Sequence, residues 1–282
     1  MLMSLKSVIR SLLPVPLLSQ AHACKEKFLL SQCSSLPFSV SQLVPANQFD
    51  LSRILNNPDS LSSWETDRKE IESFHPANDL WGGVNPGDRR ALYSLIRGLN
   101  PTSVLEVGTH IGSSTLHLAR ALKTNNAGGH LDTVDIYDVN DPQCGAWKSV
   151  GAPASPAAMM QAMGLSDIVT FHTSGSLNYI KSTDKKFDVI FLDGDHSATA
   201  VYNEVSASLP VLTSGGIIIL HDYYPNGKPL FPNAQVISGP YLAMNRIMSE
   251  TPSLQVIPLG NLPWPTKLGG NTTSLAVVVR KA

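Results

Sequence analysis

Residues Val104-Leu-Glu-Val-Gly-Thr-His-Ile-Gly-Ser-Ser-Thr115 decide how this chain folds: an apolar run ends in an acid and two glycines where a helix would begin. Leu105 and Val107 suit a buried parallel strand, Gly108 and Gly112 let backbone approach a ligand closely, and Leu116, Leu118 and Ala119 continue at helical spacing. The stretch therefore reads as a strand-to-helix turn that holds a ligand. Its spacing, Glu-x-Gly-x-x-x-Gly, is not the Gly-x-Gly-x-x-Gly of dinucleotide folds, and it lacks the Lys-Ser/Thr ending of a phosphate-binding loop. A ligand without a pyrophosphate is expected.

Further along, His130-Leu-Asp-Thr-Val-Asp-Ile136 forms a second short strand ending in Asp135. An acid at that strand end can hold ribose hydroxyls. Glu106 and Asp135 together describe a nucleoside with a neutral or cationic tail, a description that fits S-adenosylmethionine. On these residues the sequence resembles the class I S-adenosylmethionine-dependent methyltransferases, whose first motif has the same acidic-glycine form. The resemblance runs from about Gly87 to Ala282. It implies a Rossmann-like, doubly wound α/β fold: a seven-stranded, mostly parallel sheet in the order 3-2-1-4-5-7-6. It also implies cofactor contacts from Glu106, Gly108, Thr109, Ile111, Gly112 and Ser113 in the first turn and from Asp135 and Ile136 after the second strand. Ser174, Gly175 and Ser176 follow the third strand, where the family contacts adenine. Asp193 completes the set.

The residue pattern supports such a sheet. Strands are expected at 103–107, 131–135, 167–172, 187–192, 216–221, 254–259 and 274–280. Helices are expected near 88–99, 113–123, 155–163, 174–181, 197–211 and 234–250. Alternating strands and helices imply a parallel sheet covered on both faces. The last two strands, with no helix between them, look like a closing antiparallel hairpin. Residues 1–75 are rich in Ser, Leu and Pro, with helical fragments near 2–13, 19–31 and 47–56 and a polar stretch from Ser60 to Ser73. They are expected to form an accessory helical segment, a cap or an oligomer contact, ahead of a methyltransferase domain over 76–282.

Two clusters carry chemistry. Phe187-Asp-Val-Ile-Phe-Leu192 runs into Asp193-Gly-Asp-His196, and Gly215-Gly-Ile-Ile-Ile-Leu220 delivers His221 and Asp222 to the same sheet edge. Carboxylates with water suit Mg2+, whereas an imidazole ligand shifts the preference toward Mn2+, Fe2+ or Zn2+. Here the sequence resembles the metal-dependent O-methyltransferases, of the catechol, macrolide-sugar and cephamycin types. That resemblance implies metal ligation by Asp193, His221 and Asp222, with His196 as the base that deprotonates an acceptor hydroxyl. His221 departs from the usual acidic or amide partner, which puts metal identity and metal use in question. The bland readings are a helix cap for Asp195, a packed neutral imidazole for His196 and a loop hydrogen bond for His221.

Gly87-Asp-Arg-Arg90 resembles the opening of the catechol enzymes' domain, so Trp81 to Gly87 are expected to close over the methionine end. The insertions 138–156, with Trp147, and 223–232, with Tyr223, Tyr224 and Phe231, are candidates for substrate lids.

Composition sets the outer limits. The chain has 282 residues, 43% of them hydrophobic, and a formal charge of -1, enough for one large core and without the basic excess that nucleic-acid binding requires. Cys24, Cys33 and Cys144 show no paired spacing, so neither a disulfide framework nor a thiolate zinc site is supported. Lys6, Arg10, an apolar run to Leu18 and Ala21-His-Ala23 have some features of a secretory leader, but two prolines interrupt the run. No run reaches the roughly 18 apolar residues of a membrane span. The expectation is a cytoplasmic, homo-oligomeric enzyme that uses S-adenosyl-L-methionine and a divalent metal (Mg2+, with Mn2+ or Fe2+ as options) to methylate a hydroxyl on a sugar, phenol or natural-product intermediate. The alternatives are a metal-independent O- or N-methyltransferase and a noncatalytic scaffold that keeps the cofactor pocket.

Overall fold

The computed structural model describes residues 15–75, 83–143 and 145–282. The helical fragment expected near 2–13, Trp81 and Cys144 lie outside the described residues. The sheet is built from β1 (Ser103–Val107), β2 (His130–Asp135), β3 (Val169–Thr173), β4 (Phe187–Leu192), β5 (Leu212–Leu220), β6 (Leu254–Pro258) and β7 (Ala276–Arg280), in the order β3-β2-β1-β4-β5-β7-β6. Pairs from β3 to β5 are parallel, and β7 pairs antiparallel with both β5 and β6. This is the expected seven-stranded sheet with its closing hairpin.

The central strands β1, β4 and β5 are mostly apolar because both faces are covered. In β1, Val104 packs in one hydrophobic cluster and Leu105 in the other. In β5, Ile217 and Ile219 enter the first cluster while Ile218 and Leu220 enter the second, as the two-residue repeat of a strand requires. The first cluster lies under α4 (Pro86–Leu99) and α5 (Ser113–Asn125), the second under α9 (Ala198–Ser208) and α10 (Gly239–Glu250). Between them in sequence come α6 (Ala146–Ser149), α7 (Pro156–Ala162) and α8 (Ser176–Ser182).

Local sequence fixes where the helices start. Asn85 Oδ1 accepts from the backbone N–H of Gly87 and of Asp88, both at 3.1 Å, and Pro86 takes the first helical position of α4. The same Asn/Ser-Pro device opens α7 at Ser155.

Before the sheet come α1 (Val15–Ser31), α2 (Leu51–Leu55) and α3 (Pro58–Phe74). The helix α3 covers the stretch read from sequence only as polar. Its buried positions are Ser60, Trp64, Asp67 and Ile71, a helical stripe disguised by two polar members. Asp67 is 3% exposed and explains why a polar residue belongs there. It accepts from Arg120 (Nε 3.0 Å, Nη2 2.8 Å), from Tyr93 Oη at 2.6 Å and from Thr124 Oγ1 at 2.6 Å. Trp64 and Ile71 join the first core cluster, Leu30 and Leu43 the second. Leu43 also bridges to Gly216 and Pro45 to Arg280, so the N-terminal segment runs along the sheet's β5–β7 side.

The loop 223–232 corrects a sequence expectation. Tyr223, Tyr224 and Phe231 are 6%, 2% and 5% exposed, with Tyr223 edge-on to Tyr241 and Tyr224 edge-on to Phe231. Their rings fill the interior beneath the loop and do not present a lid face, because aromatic surface is better buried where neighbours exist. Among the described residues no helix is long and apolar enough to cross a membrane.

Candidate active site

The carboxyl ends of β1, β2, β4 and β5 open onto a cavity of about 730 Å3. Gly108, Thr109, Ile111, Ser113, Asp135, Ile136, Ser174, Gly175, Ser176 and Asp193 line it, as do His196, His221 and Asp222. The glycine turn is tight for a steric reason. Gly108 has φ +96°, and a Cβ on it would overlap the carbonyl of Asp193, so β1 and β4 can approach at this edge only with glycine there. Gly112 has φ +78° and starts α5, but it faces Pro156 and does not line the cavity.

Glu106 also lies off the wall. It is fully buried under the turn, where its Oε2 accepts from Thr115 Oγ1 at 2.6 Å and Thr133 Oγ1 at 2.7 Å. Thr133 in turn pairs with Thr109 Oγ1 at 2.6 Å, which ties β2 to the first turn. Burial pushes the Glu106 carboxyl up to about 7, against the opposing hydrogen bonds from Ser114, Thr115 and Thr133. At the end of β2, Asp135 organises the cavity rim: its Oδ2 accepts from His110 N at 2.9 Å and its Oδ1 from Tyr137 N at 3.1 Å.

The second cluster forms where β4 and β5 end side by side, with Leu192 paired to Leu220. His221 Nδ1 donates to Asp193 Oδ1 at 2.6 Å, and its Nε2 lies 3.4 Å from Asp88 Oδ2. His196 Nε2 lies 3.4 Å from Asp222 Oδ2 and 3.7 Å from Asp193 Oδ1. Burial alone would lower the His221 pKa, but Asp193, Asp222 and Asp88 more than offset it and hold the ring well above the ordinary imidazole range. Burial would raise Asp222, yet His221, His196 and Lys267 bring it below the ordinary carboxylate range. Asp222 adopts φ +52°, an uncommon conformation for a residue with a side chain, and Ser274 Oγ donates to it at 3.3 Å. His196 keeps 31% of its side chain exposed, while Asp193, His221 and Asp222 keep 12% or less. Gly239, at the start of α10, packs directly against the carbonyl of His196 and fixes the loop that carries it.

For a metal, Asp193, His196 and His221 offer one ligand atom each within 4.8 Å of one another. The set is compatible with a divalent ion, and its imidazole nitrogens suit Mn2+ or Fe2+ better than Mg2+.

Sequence reasoning missed three neighbours. Asp88 belongs to the Gly-Asp-Arg-Arg motif but is fully buried beneath His221; Gly87 beside it packs on Pro265 and Thr266, and Trp264 Nε1 donates to the Gly87 carbonyl at 2.9 Å. His75, at the end of α3, reaches Ser113. Arg89 Nη1 donates to His75 Nδ1 at 2.8 Å, so the neutral ring carries its proton on Nε2, which donates to Ser113 Oγ at 2.8 Å. Glu204 lines the cavity from α9. Only Asp88 had a sequence signal, and it pointed to a lid, not to a buried partner.

Sheet order, glycine turn and the acid at the end of β2 are those of the class I S-adenosylmethionine-dependent methyltransferases. Residues 105–223, under half of the chain, match the family described as a methyltransferase domain. It is 26% identical over 188 residues to rhamnosyl O-methyltransferases of Mycobacterium tuberculosis and Mycobacterium bovis, covering 65% of this chain and 66% of theirs. The chain thus spans just under two thirds of the length of these relatives. Among solved structures, it resembles the O-methyltransferase TomG from Streptomyces achromogenes in complex with S-adenosylmethionine (18% identity, TM-score 0.52, 82% of this chain and 93% of that one). The O-methyltransferase from Bacillus cereus in complex with S-adenosylhomocysteine is similar to the same degree (18% identity, TM-score 0.51, 86% and 100%). At these identities the structural likeness speaks for the fold.

Proposed function

We propose that this protein transfers the methyl group of S-adenosylmethionine to a hydroxyl of a small metabolite, with His196 as the base. The observation that carries this reading is the position of His196: its Nε2 lies 3.4 Å from Asp222 on the wall of the cavity lined by the glycine turn and Asp135. The relatives named for rhamnosyl O-methylation make a sugar hydroxyl the first acceptor class to screen. The cofactor supplies a methyl group on a sulfonium, a transfer that needs an aligned nucleophile and a place for its proton. Asp135 and the turn 108–113 hold the nucleoside. His196 takes the hydroxyl proton on Nε2, and Asp222 and Asp193 stabilise the imidazolium that results. Because the cofactor is made inside cells, the same reading carries a cytoplasmic setting.

Of the expected ligands, Asp193 and His221 belong to the set whose ligand atoms come together, with His196 as its third member in place of the expected Asp222; a divalent ion held there would make a coordinated hydroxyl more acidic. The metal-independent alternative draws on the packing of His221, whose ring nitrogens lie within 4 Å of carboxylate oxygens of Asp193, Asp222 and Asp88, so that a protonated ring would balance their charge without an ion.

The test is calorimetric titration of S-adenosylmethionine into metal-stripped protein, repeated with Mg2+, Mn2+ and Fe2+. Binding with a further heat from one metal supports the metal-assisted form; binding with none, and transfer that survives chelator, supports the alternative. Absence of cofactor binding under every condition overturns the proposal.

A further inference from the structure

Glu204 is a buried acid on the cavity wall that methyl transfer itself leaves without a task. It sits in α9, is 3% exposed and lines the same cavity as Asp135 and Ser176. Ser176 Oγ donates to its Oε1 at 2.5 Å. Ser176 is the only hydrogen-bond donor to this carboxyl among the described residues, which leaves the second oxygen for whatever fills the cavity.

Its place relative to Asp135 decides what that occupant presents. The Ser174 N–H donates to the Asp135 carbonyl at 2.8 Å, so the Ser174–Ser176 turn stands directly beside the acid proposed to hold a ribose. Through Ser174 and Ser176, Glu204 lies on the stretch of wall next to Asp135, where a nucleoside held by that acid would lay its base. We propose that Glu204 reads the adenine base of the cofactor, accepting from the exocyclic amino group and donating to N1. The proposal rests on the reading that the cavity takes S-adenosylmethionine.

The chemistry of the group fits the task. Burial raises the Glu204 carboxyl to about 7, against the lowering effect of the Ser176 hydroxyl, with Asp195 adding to the rise. Near neutral pH a large fraction therefore carries the proton. A carboxylic acid sets one donor and one acceptor side by side, and the amino-N1 edge of adenine sets one acceptor and one donor opposite them. An apolar residue of the same size would leave both base atoms without partners in a buried site, which is how such pockets discriminate.

The experiment compares calorimetric affinities for S-adenosylhomocysteine and for its purine analogue lacking the 6-amino group, in wild type, Glu204→Gln and Glu204→Leu. Wild type is expected to prefer the adenine ligand by about tenfold or more. Glu204→Gln, whose amide keeps one donor and one acceptor, should retain that preference within about threefold, and Glu204→Leu should erase it. A purely structural role for Glu204 would weaken both ligands alike and leave the preference intact, which overturns the proposal. So does an equal loss of preference in the Gln and Leu variants. If the Leu variant does not fold, Glu204→Met, of similar length and without a donor-acceptor pair, takes its place and should likewise erase the preference. Failure of wild type to bind S-adenosylhomocysteine at all defeats the cofactor reading and this one with it, an outcome distinct from a change in preference.

Discussion

His221 Nδ1 lies 2.6 Å from Asp193 Oδ1, which ties the residue after β5 to the residue after β4 across the carboxyl edge of the sheet. The contact makes His221 the counter-charge for Asp193 and Asp222, with Asp88 3.4 Å away on the other side of the ring. Replacing His221 by Ala leaves the buried Asp88 and Asp222 and the partly buried Asp193 without this neighbouring cation. A loss of about 3 kcal/mol is expected, in the range for breaking a buried pair, read by denaturant unfolding at neutral pH. A variant as stable as wild type would mean that the acids find compensation elsewhere.

The proton acceptor is tested separately from the binding site. His196→Ala should lower kcat by about 10²–10⁴-fold, the usual contribution of a positioned base, while affinity for S-adenosylmethionine stays near that of wild type. Asp222→Ala should likewise abolish transfer and leave cofactor affinity largely intact. Loss of cofactor binding in either variant would assign that residue to the wrong part of the cavity.

Glu106 gives a pH signature in stability. Its folded pKa is raised from 4.5 to about 7 by burial, so the folded state holds a proton that the unfolded state has already released. Stability therefore falls as pH rises from about 4.5 through 7, by about 3 kcal/mol in all, and stays lower above that window. In Glu106→Gln the slope over pH 5–7 should be shallower in urea titrations; an unchanged slope would show that Glu106 is ionised throughout.

Gly108→Ala tests the close approach of β1 and β4. With φ +96° and the Asp193 carbonyl in the way of a Cβ, the substitution should cost more than about 2 kcal/mol from backbone strain and clash together. Cofactor affinity should fall with it, because the carbonyl of Asp193 would be pushed along the cavity wall. Retained affinity and stability would contradict the geometry.

Asp67→Ala probes how the N-terminal helix is joined to the sheet. The change strips Arg120, Tyr93 and Thr124 of a shared acceptor, and a loss of about 3 kcal/mol is expected. The midpoint of thermal unfolding should drop in a single transition, since Trp64 and Ile71 share a core with Leu92 and Leu116. A separate early transition would mean that residues 15–75 unfold on their own.

Much of the fold was legible in the chain because it depends on local pattern. The apolar runs of β1, β4 and β5, the glycine turn after Glu106 and the strand-helix alternation each leave a periodic trace, and the sheet order follows from that alternation through the family resemblance. The helix α3 was not legible, since Ser60 and Asp67 occupy half of its buried stripe and hide the apolar period. Nor was the interior position of Tyr223, Tyr224 and Phe231, because an aromatic in a loop has the same local signature whether it faces a substrate or the core.

By itself the sequence determined which residue types arrive at the carboxyl edge of the sheet: an acid near the end of β1 and two glycines after it, Asp135 at the end of β2, Asp193 and His196 after β4, His221 and Asp222 after β5. Periodicity and turn chemistry are short-range, so a strand end announces what it carries. Only the tertiary structure decided what those residues touch. Packing drew Asp88 under His221, His75 onto Ser113 and Glu204 against Ser176, partners separated by long stretches of chain. It also set Glu106 beneath the cavity floor instead of on its wall. These are contacts between elements, fixed by how helices and strands fill one core, and no local pattern records them.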